Sequence, residues 1–207
     1  MKNYLIISLL FLSLGFSQKE YNVNDLIKMD NGLATVKFSD EPITGKVYGY
    51  FGEKDNLKKV YMGNLLNGKE EGRWKEYFHS NGRKKSDENY KDGEQDGLET
   101  YWYKNGQKRK EGINKDWDED GKWTYWYENG QKEREGNYKD GEYVGKWTAW
   151  YENGNGQKER EGNYKDGDAD GLWTQWYENG QKSSEVTYKD GEEISVKEWN
   201  EDGSVKE

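Results

Sequence analysis

Three kinds of chemistry are open to this chain by residue type and spacing. The first is cation binding. Asp116-x-Asp118-x-Asp120-Gly121 alternates like the first half of a calcium loop, echoed at Asp166-x-Asp168-x-Asp170-Gly171 and Asp92-x-Glu94-x-Asp96-Gly97. The second half is missing, because Tyr127, Tyr177 and Tyr103 stand where a bidentate glutamate would close the loop. Asp and Gly are also what strand-connecting turns prefer. These acids are expected as turn residues first and as weak calcium ligands second, and no resident metal or cofactor is expected. The second chemistry is acid–base catalysis. The chain has no cysteine and one histidine, His79, beside a turn. Carboxylate pairs such as Glu133 and Glu135 recur, but an open wet surface would not raise one of them for general-acid work. No enzyme is expected. The third chemistry is recognition, for which 10 Trp and 17 Tyr are a large supply.

The elements that carry these residues are repeats. GKWTYWYENGQKEREGNYKDGEYVG, from Gly121 to Gly145, returns in variant form from Gly145 and Gly171 and is anticipated from Gly97. Each copy reads as one β-hairpin plus a turn into the next, so the repeat decides the fold. Aromatic and β-branched residues suit a pleated strand, and Trp123, Tyr125 and Tyr127 alternate with Thr124 and Trp126. Asn129-Gly130 predicts a two-residue type I′ turn. That turn sets Trp123 opposite Gly136, Tyr125 opposite Arg134, Tyr127 opposite Lys132 and Gly121 opposite Tyr138. The copy from Gly145 carries an extra Asn-Gly in its loop, which leaves Trp147 opposite Gly162 and Trp150 opposite Glu159. An odd insertion would have turned every later side chain over. One face then carries Trp123, Tyr125, Tyr127, Tyr138 and their equivalents. The other carries Trp102, Trp126, Trp150 and Trp176 among Thr124, Glu133 and Glu135.

Residues 1–17, MKNYLIISLLFLSLGFS, read as a secretory signal: one lysine, an apolar run too short to span a membrane, then small residues. An exported chain without cysteine has no disulfide framework and no lipid-anchored cysteine. Cleavage would take one lysine from a formal net charge of −9, leaving −10. An acidic surface without a basic block argues against nucleic acid and anionic lipid as partners, and no membrane insertion is expected after cleavage. Residues 18–44 form a cap, with a helical turn at Asp25-Leu26-Ile27 and a first strand from Leu33 to Phe38. Residues 45–207 form the array. Its first hairpin has a strand from Gly45 and a return over Leu57 to Tyr61, and its second holds one extra residue, expected as a bulge near Trp74–Phe78. The fold expected is all-β: a single-layer antiparallel meander of about six and a half hairpins, roughly 60 Å long.

Gly136-x-Tyr138-x-x-Gly141-x-x-x-Gly145-x-Trp147 resembles the repeat of the MORN proteins, and WYENGQKEREGNYKDG resembles more closely their bacterial repeat variant. The cap is similar to that family too, at Asp25-Leu26-Ile27, Gly32-Leu33 and Phe38 to Val47. The resemblance implies an interaction scaffold without shared chemistry, many of whose relatives are catalogued as antitoxins. The reading is an exported scaffold that binds a protein partner through its aromatic rows. The anchors expected are Trp123, Tyr125, Tyr127, Trp147, Tyr151, Trp173 and Tyr177. A cell-surface glycan stacked on the rings is the alternative partner, and neutralisation of a toxin the alternative role.

Overall fold

The computed structural model describes residues 19–206, so the stretch read as an export signal lies outside the described residues. Seventeen strands follow in chain order: β1 Glu20–Asn22, β2 Leu26–Lys28, β3 Ala34–Val36, β4 Gly45–Phe51, β5 Lys58–Leu66, β6 Lys69–Tyr77, β7 Lys84–Lys91, β8 Glu94–Gln95, β9 Gly97–Trp102, β10 Lys108–Lys115, β11 Asp118–Trp126, β12 Lys132–Lys139, β13 Glu142–Trp150, β14 Lys158–Lys165, β15 Asp168–Trp176, β16 Lys182–Lys189 and β17 Glu192–Glu198. Fifteen of them make one open sheet in which chain neighbours are sheet neighbours. The array is the expected meander, with one exception at its start. β1 lies parallel to β4, so the cap contributes the first strand of the sheet. The cap also differs in detail. Its helical turn is 3₁₀ and sits earlier, at Val23–Asp25, while Leu26 and Ile27 already belong to β2. Only Ala34–Val36 of the expected first strand is extended, paired with β2. Ala34, Ile43, Val47, Met62, Leu65 and Trp74 close an apolar core beneath the cap.

The two kinds of turn exchange the roles expected of them. The link between β12 and β13 is the two-residue type I′ turn, with Asp140 at φ 51° and Gly141 at φ 79°. Asn129-Gly130 instead ends a three-residue loop, in which the Tyr127 amide bonds to Gln131 O and Gly130 bonds back to Tyr127 O. Only the glycine takes positive φ there, at 88°. The asparagine is held by its own amide. Its Oδ1 accepts the Gln131 N–H at 2.9 Å, and its Nδ2 donates to Glu152 O of the next repeat at 2.9 Å. A three-residue loop shifts the register by one, and a bulge shifts it back. Glu133 is left without a partner, so Lys132 pairs with Trp126 rather than Tyr127, and Tyr125 still meets Arg134. The same correction applies at Glu159, which faces nothing, since Trp150 pairs with Lys158. The pairings at Trp123–Gly136, Gly121–Tyr138 and Trp147–Gly162 stand as expected. In the second hairpin the extra residue enters the loop, where Phe78 bonds to Arg83, and the register shift between Glu76 and Tyr77 skips Lys85 of β7 rather than a residue of β6.

Trp123 and Trp147 pair with Gly136 and Gly162, and Trp74 and Trp173 with Glu88 and Val186, yet each indole leans to the strand on its other side. On the outer side of β11, Gly121, Lys122 and Trp123 together oppose Gly112 alone. Gly121 opens that wide bulge at φ 73°. The Trp123 ring then lies flat on Gly112, so closely that a Cβ there would overlap it, and its Nε1 donates to Ile113 O at 3.0 Å. Trp147 does the same over Gly136 with Asn137 O, and Trp173 over Gly162 with Asn163 O, both at 3.0 Å. This seating buries Trp123 completely in a sheet one layer thick. Valines end the pattern at both margins, at Val47 and at Val186, and inside the array it breaks between β7 and β9. At the position of the indole β9 carries Glu99, 1% exposed, and at the position of the glycine β7 carries Glu88, 6% exposed.

Candidate binding face

The face that carries Trp123 and Trp147 is built in two levels. The indoles are sunk, and tyrosines stand over and between them. Tyr138 meets Trp147 edge-on at 5.0 Å, Tyr143 stacks on Tyr164 at 5.0 Å, and Tyr164 meets Trp173 edge-on at 4.9 Å. Tyr125 and Tyr138 share a hydroxyl–hydroxyl bond of 3.1 Å. Burial pushes the phenols of Tyr125, Tyr138 and Tyr164 up from their ordinary value, so these groups stay neutral. Arg134 lies over the Tyr125 ring at 4.2 Å.

Two repeats on this face lack a ring that β9 and β11 carry: β13 and, with Gln175 in the same place, β15. Tyr101 and Tyr125 occupy the same place in β9 and β11, and in β13 that place is Ala149, paired with Arg134 on one side and Arg160 on the other. A cleft of about 110 Å³ opens over it, bounded by the two arginines and by Tyr143, Trp147, Tyr164 and Trp173.

The opposite face carries one tryptophan per repeat: Trp102, Trp126, Trp150, Trp176 and Trp199. A lysine from the neighbouring strand lies over each ring, from Lys84 on Trp102 at 4.7 Å to Lys182 on Trp199 at 5.9 Å. The same lysines bind acids. Lys132 and Lys122 reach Glu135 at 2.7 and 3.3 Å, and Lys158 and Lys146 reach Glu161 at 2.6 and 2.8 Å. These lysines hold both carboxyls below the usual range although burial works against them. That face is therefore a ladder of internally neutralised charge.

The anchors expected from sequence fall into three groups. Trp123, Trp147 and Trp173 are buried and present little ring to a partner, because the wide bulge lays them on the sheet. Tyr127, Tyr151 and Tyr177 sit at the strand ends. Their hydroxyls donate to Trp150, Trp176 and Trp199 carbonyls at 2.8, 2.6 and 2.8 Å, which ties each loop to the next repeat. Tyr125 alone stays half-exposed on the two-level face. Arg134, Ala149, Tyr143, Arg160 and Tyr164 were not singled out by sequence as a group. The signal that would have found them is the one alanine in the aromatic place of the repeat, flanked in register by two arginines. Of the acids weighed for calcium, Asp116 and Asp166 are first turn residues at φ 51° and 50°. Asp118, Asp120, Asp168 and Asp170 lie in β11 and β15. Among the described residues no three acids or histidines gather closely enough to hold a metal ion.

Four stretches, residues 95–116, 119–140, 143–166 and 169–190, match the model of the MORN repeat variant. Each covers one strand–loop–strand unit, and together they span less than half of the chain. No curated protein gives a significant match. No helix among the described residues is long and apolar enough to cross a membrane.

Proposed function

We propose that this chain is an exported, non-enzymatic scaffold that holds a protein partner against its two-level aromatic face. One observation carries the reading. That face presents tyrosine rings and two arginines that make no ion pair with an acid among the described residues, on a base fixed by sunken indoles. Arg and Tyr are the side chains that most often anchor interfaces, and rigid anchors lose little entropy on binding. The MORN-variant repeats support a scaffold role, and export rests on the character of residues 1–17. The test is affinity capture from periplasm or culture supernatant with wild type, Tyr164→Ala and Tyr143→Ala. A prey common to replicates and lost with the tyrosine variants is expected. An unchanged prey list removes this face as the contact surface.

A second reading, a glycan-binding module, is favoured by the opposite face. Its tryptophans recur once per two strands, a step of about 9.6 Å, and rings at a regular step can stack on successive sugars. Quenching of tryptophan fluorescence by oligosaccharide, lost in Trp126→Ala/Trp150→Ala, would favour it over the protein partner.

A further inference from the structure

We propose that the cleft over Ala149 is a carboxylate pocket, sized for a short acid such as a glutamate side chain. The cleft exists because one residue is small. Ala149 leaves open the space that Tyr125 fills one repeat earlier, and both of its cross-strand partners are arginines. The preceding repeat has Lys110 in the arginine place, an ammonium over Tyr101 and Trp123 at 4.6 and 5.0 Å, and the following one has Ser184. Two guanidiniums therefore converge at this cleft alone among the repeats.

Their charge has no paired acid among the described residues, and Glu133 acts on Arg134 without bonding to it. Glu135 and Glu161, the neighbours of Arg134 and Arg160 in sequence, point to the opposite face and are taken by lysines. Neither arginine forms an ion pair among the described residues, in a chain where acids outnumber bases by 41 to 32. The Arg134 Nε is buried and has no hydrogen-bond partner. A buried donor without an acceptor is rare enough to need an occupant. A planar guanidinium answers a carboxylate with two parallel N–H donors, which an ammonium cannot do. Tyr143, Trp147, Tyr164 and Trp173 wall the cleft on its inner side, and a charge-assisted bond is stronger against such apolar walls than in open water.

Size narrows the ligand. A cavity of about 150 Å³ is what admits benzene, so 110 Å³ suits a carboxylate on two or three carbons. This refines the proposed function, yet the pocket would take a free short acid whether or not a protein partner exists.

The probes are propionate and its neutral isostere propionamide, followed on the intact protein by the Arg134 Nε–H signal in nitrogen-15 spectra and by tryptophan fluorescence. Propionate should move that signal at concentrations at least tenfold lower than propionamide. Ala149→Tyr, which restores the ring of the earlier repeats, should weaken propionate at least tenfold. Arg160→Gln, at an exposed side chain, should do the same with an unchanged melting temperature. Equal responses to the two probes, or a propionate response that survives both substitutions, overturns the pocket. A capped Gly-Gly-Glu-Gly-Gly peptide identifies the source. Binding at least tenfold tighter than propionate, and lost in the glutamine peptide, assigns the pocket to a partner's side chain. Peptide binding no tighter than propionate assigns it to a free acid. Prey that is lost with Tyr164→Ala but kept with Arg160→Gln would leave the scaffold reading standing without the pocket.

Discussion

Glu99 is the residue at which the repeat contradicts itself. Burial raises its carboxyl above the usual range, the Asn114 amide pulls it down and the nearby Glu88 adds to the rise. Tyr90 and Gln95 donate to Glu88 at 2.9 and 2.6 Å, whereas Oε1 of Glu99 is buried without a donor. A carboxyl raised on folding stabilises the protein when protonated. That contribution is present below the unfolded value near 4.5 and is lost as pH rises through the folded one. Glu135 and Glu161 are lowered and act in the opposite sense, since their contribution fades as pH falls. Urea midpoints across pH 4 to 8 should therefore fall on the alkaline side in wild type, and Glu99→Gln should flatten that limb. A limb unchanged in Glu99→Gln would place the titration elsewhere. Gly136 gives a second prediction. Alanine is the better strand residue by about 0.5–1 kcal/mol, but its methyl would meet the Trp147 ring, and overpacking costs about 1–3 kcal/mol. Gly136→Ala should lower the melting temperature, whereas the same change at an exposed strand glycine without a ring above it should not. Trp117 repeats the theme of a misplaced residue, holding the second place of a type I′ turn at φ 76°, where the other repeats use glycine. Left-handed backbone costs a non-glycine residue about 1–2 kcal/mol. The edge-on contact with Tyr90 at 6.3 Å offsets about 0.5–1.5 kcal/mol. Trp117→Gly should leave stability level or raise it by about 1 kcal/mol, measured by denaturant titration.

Among the hairpins, parity governs what the chain tolerates. A three-residue loop and a one-residue bulge each move the register by one, and only together do they keep the indoles on one face. Deleting Asn153-Gly154 removes two residues from a loop whose parent copy lacks them, so the folded state should survive within about 1 kcal/mol. Deleting Glu159 alone removes the compensating bulge and should abolish cooperative melting of the repeats that follow. Hydrogen exchange over β14 to β17 distinguishes the outcomes. This is also where sequence reading was least complete. The strands, their order and the glycine–tryptophan register were legible, because aromatic alternation and the repeat period constrain every copy alike. The loops were not, because Asn-Gly and Asp-Gly carry the same local preference. The choice between them came from the Asn129 amide reaching a carbonyl one repeat away. The direction in which each indole leans was hidden for the same kind of reason, as it depends on a bulge shared between two hairpins. The cleft went unread because the pattern marks what recurs, and Ala149 is an omission.

The whole molecule is a chain of neighbours. Beyond the cap, strands pair only with the next along the chain, except that β7 pairs with both the short β8 and β9, so stability should sum over repeats and their shared seams. β17 is exposed along its length and carries Glu192, Glu193 and Glu198. Ending the chain at Asp190 removes that charged margin and strips the Tyr177 hydroxyl of its Trp199 acceptor. The shortened protein should keep its fold, melt a few degrees lower and self-associate, because β16 becomes an unguarded edge. Light scattering after gel filtration measures this, and a monodisperse monomer would show that β17 is not the guard.

The indole seats have a bearing on synthesis. Every ring closes on a ribbon that left the ribosome earlier, eleven positions upstream of it in the case of Trp147 and Gly136. A polypeptide threading through a narrow channel, amino end first, would thus find its docking platform already finished at each step. Such a molecule can zip closed from one tip while its tail is still being delivered.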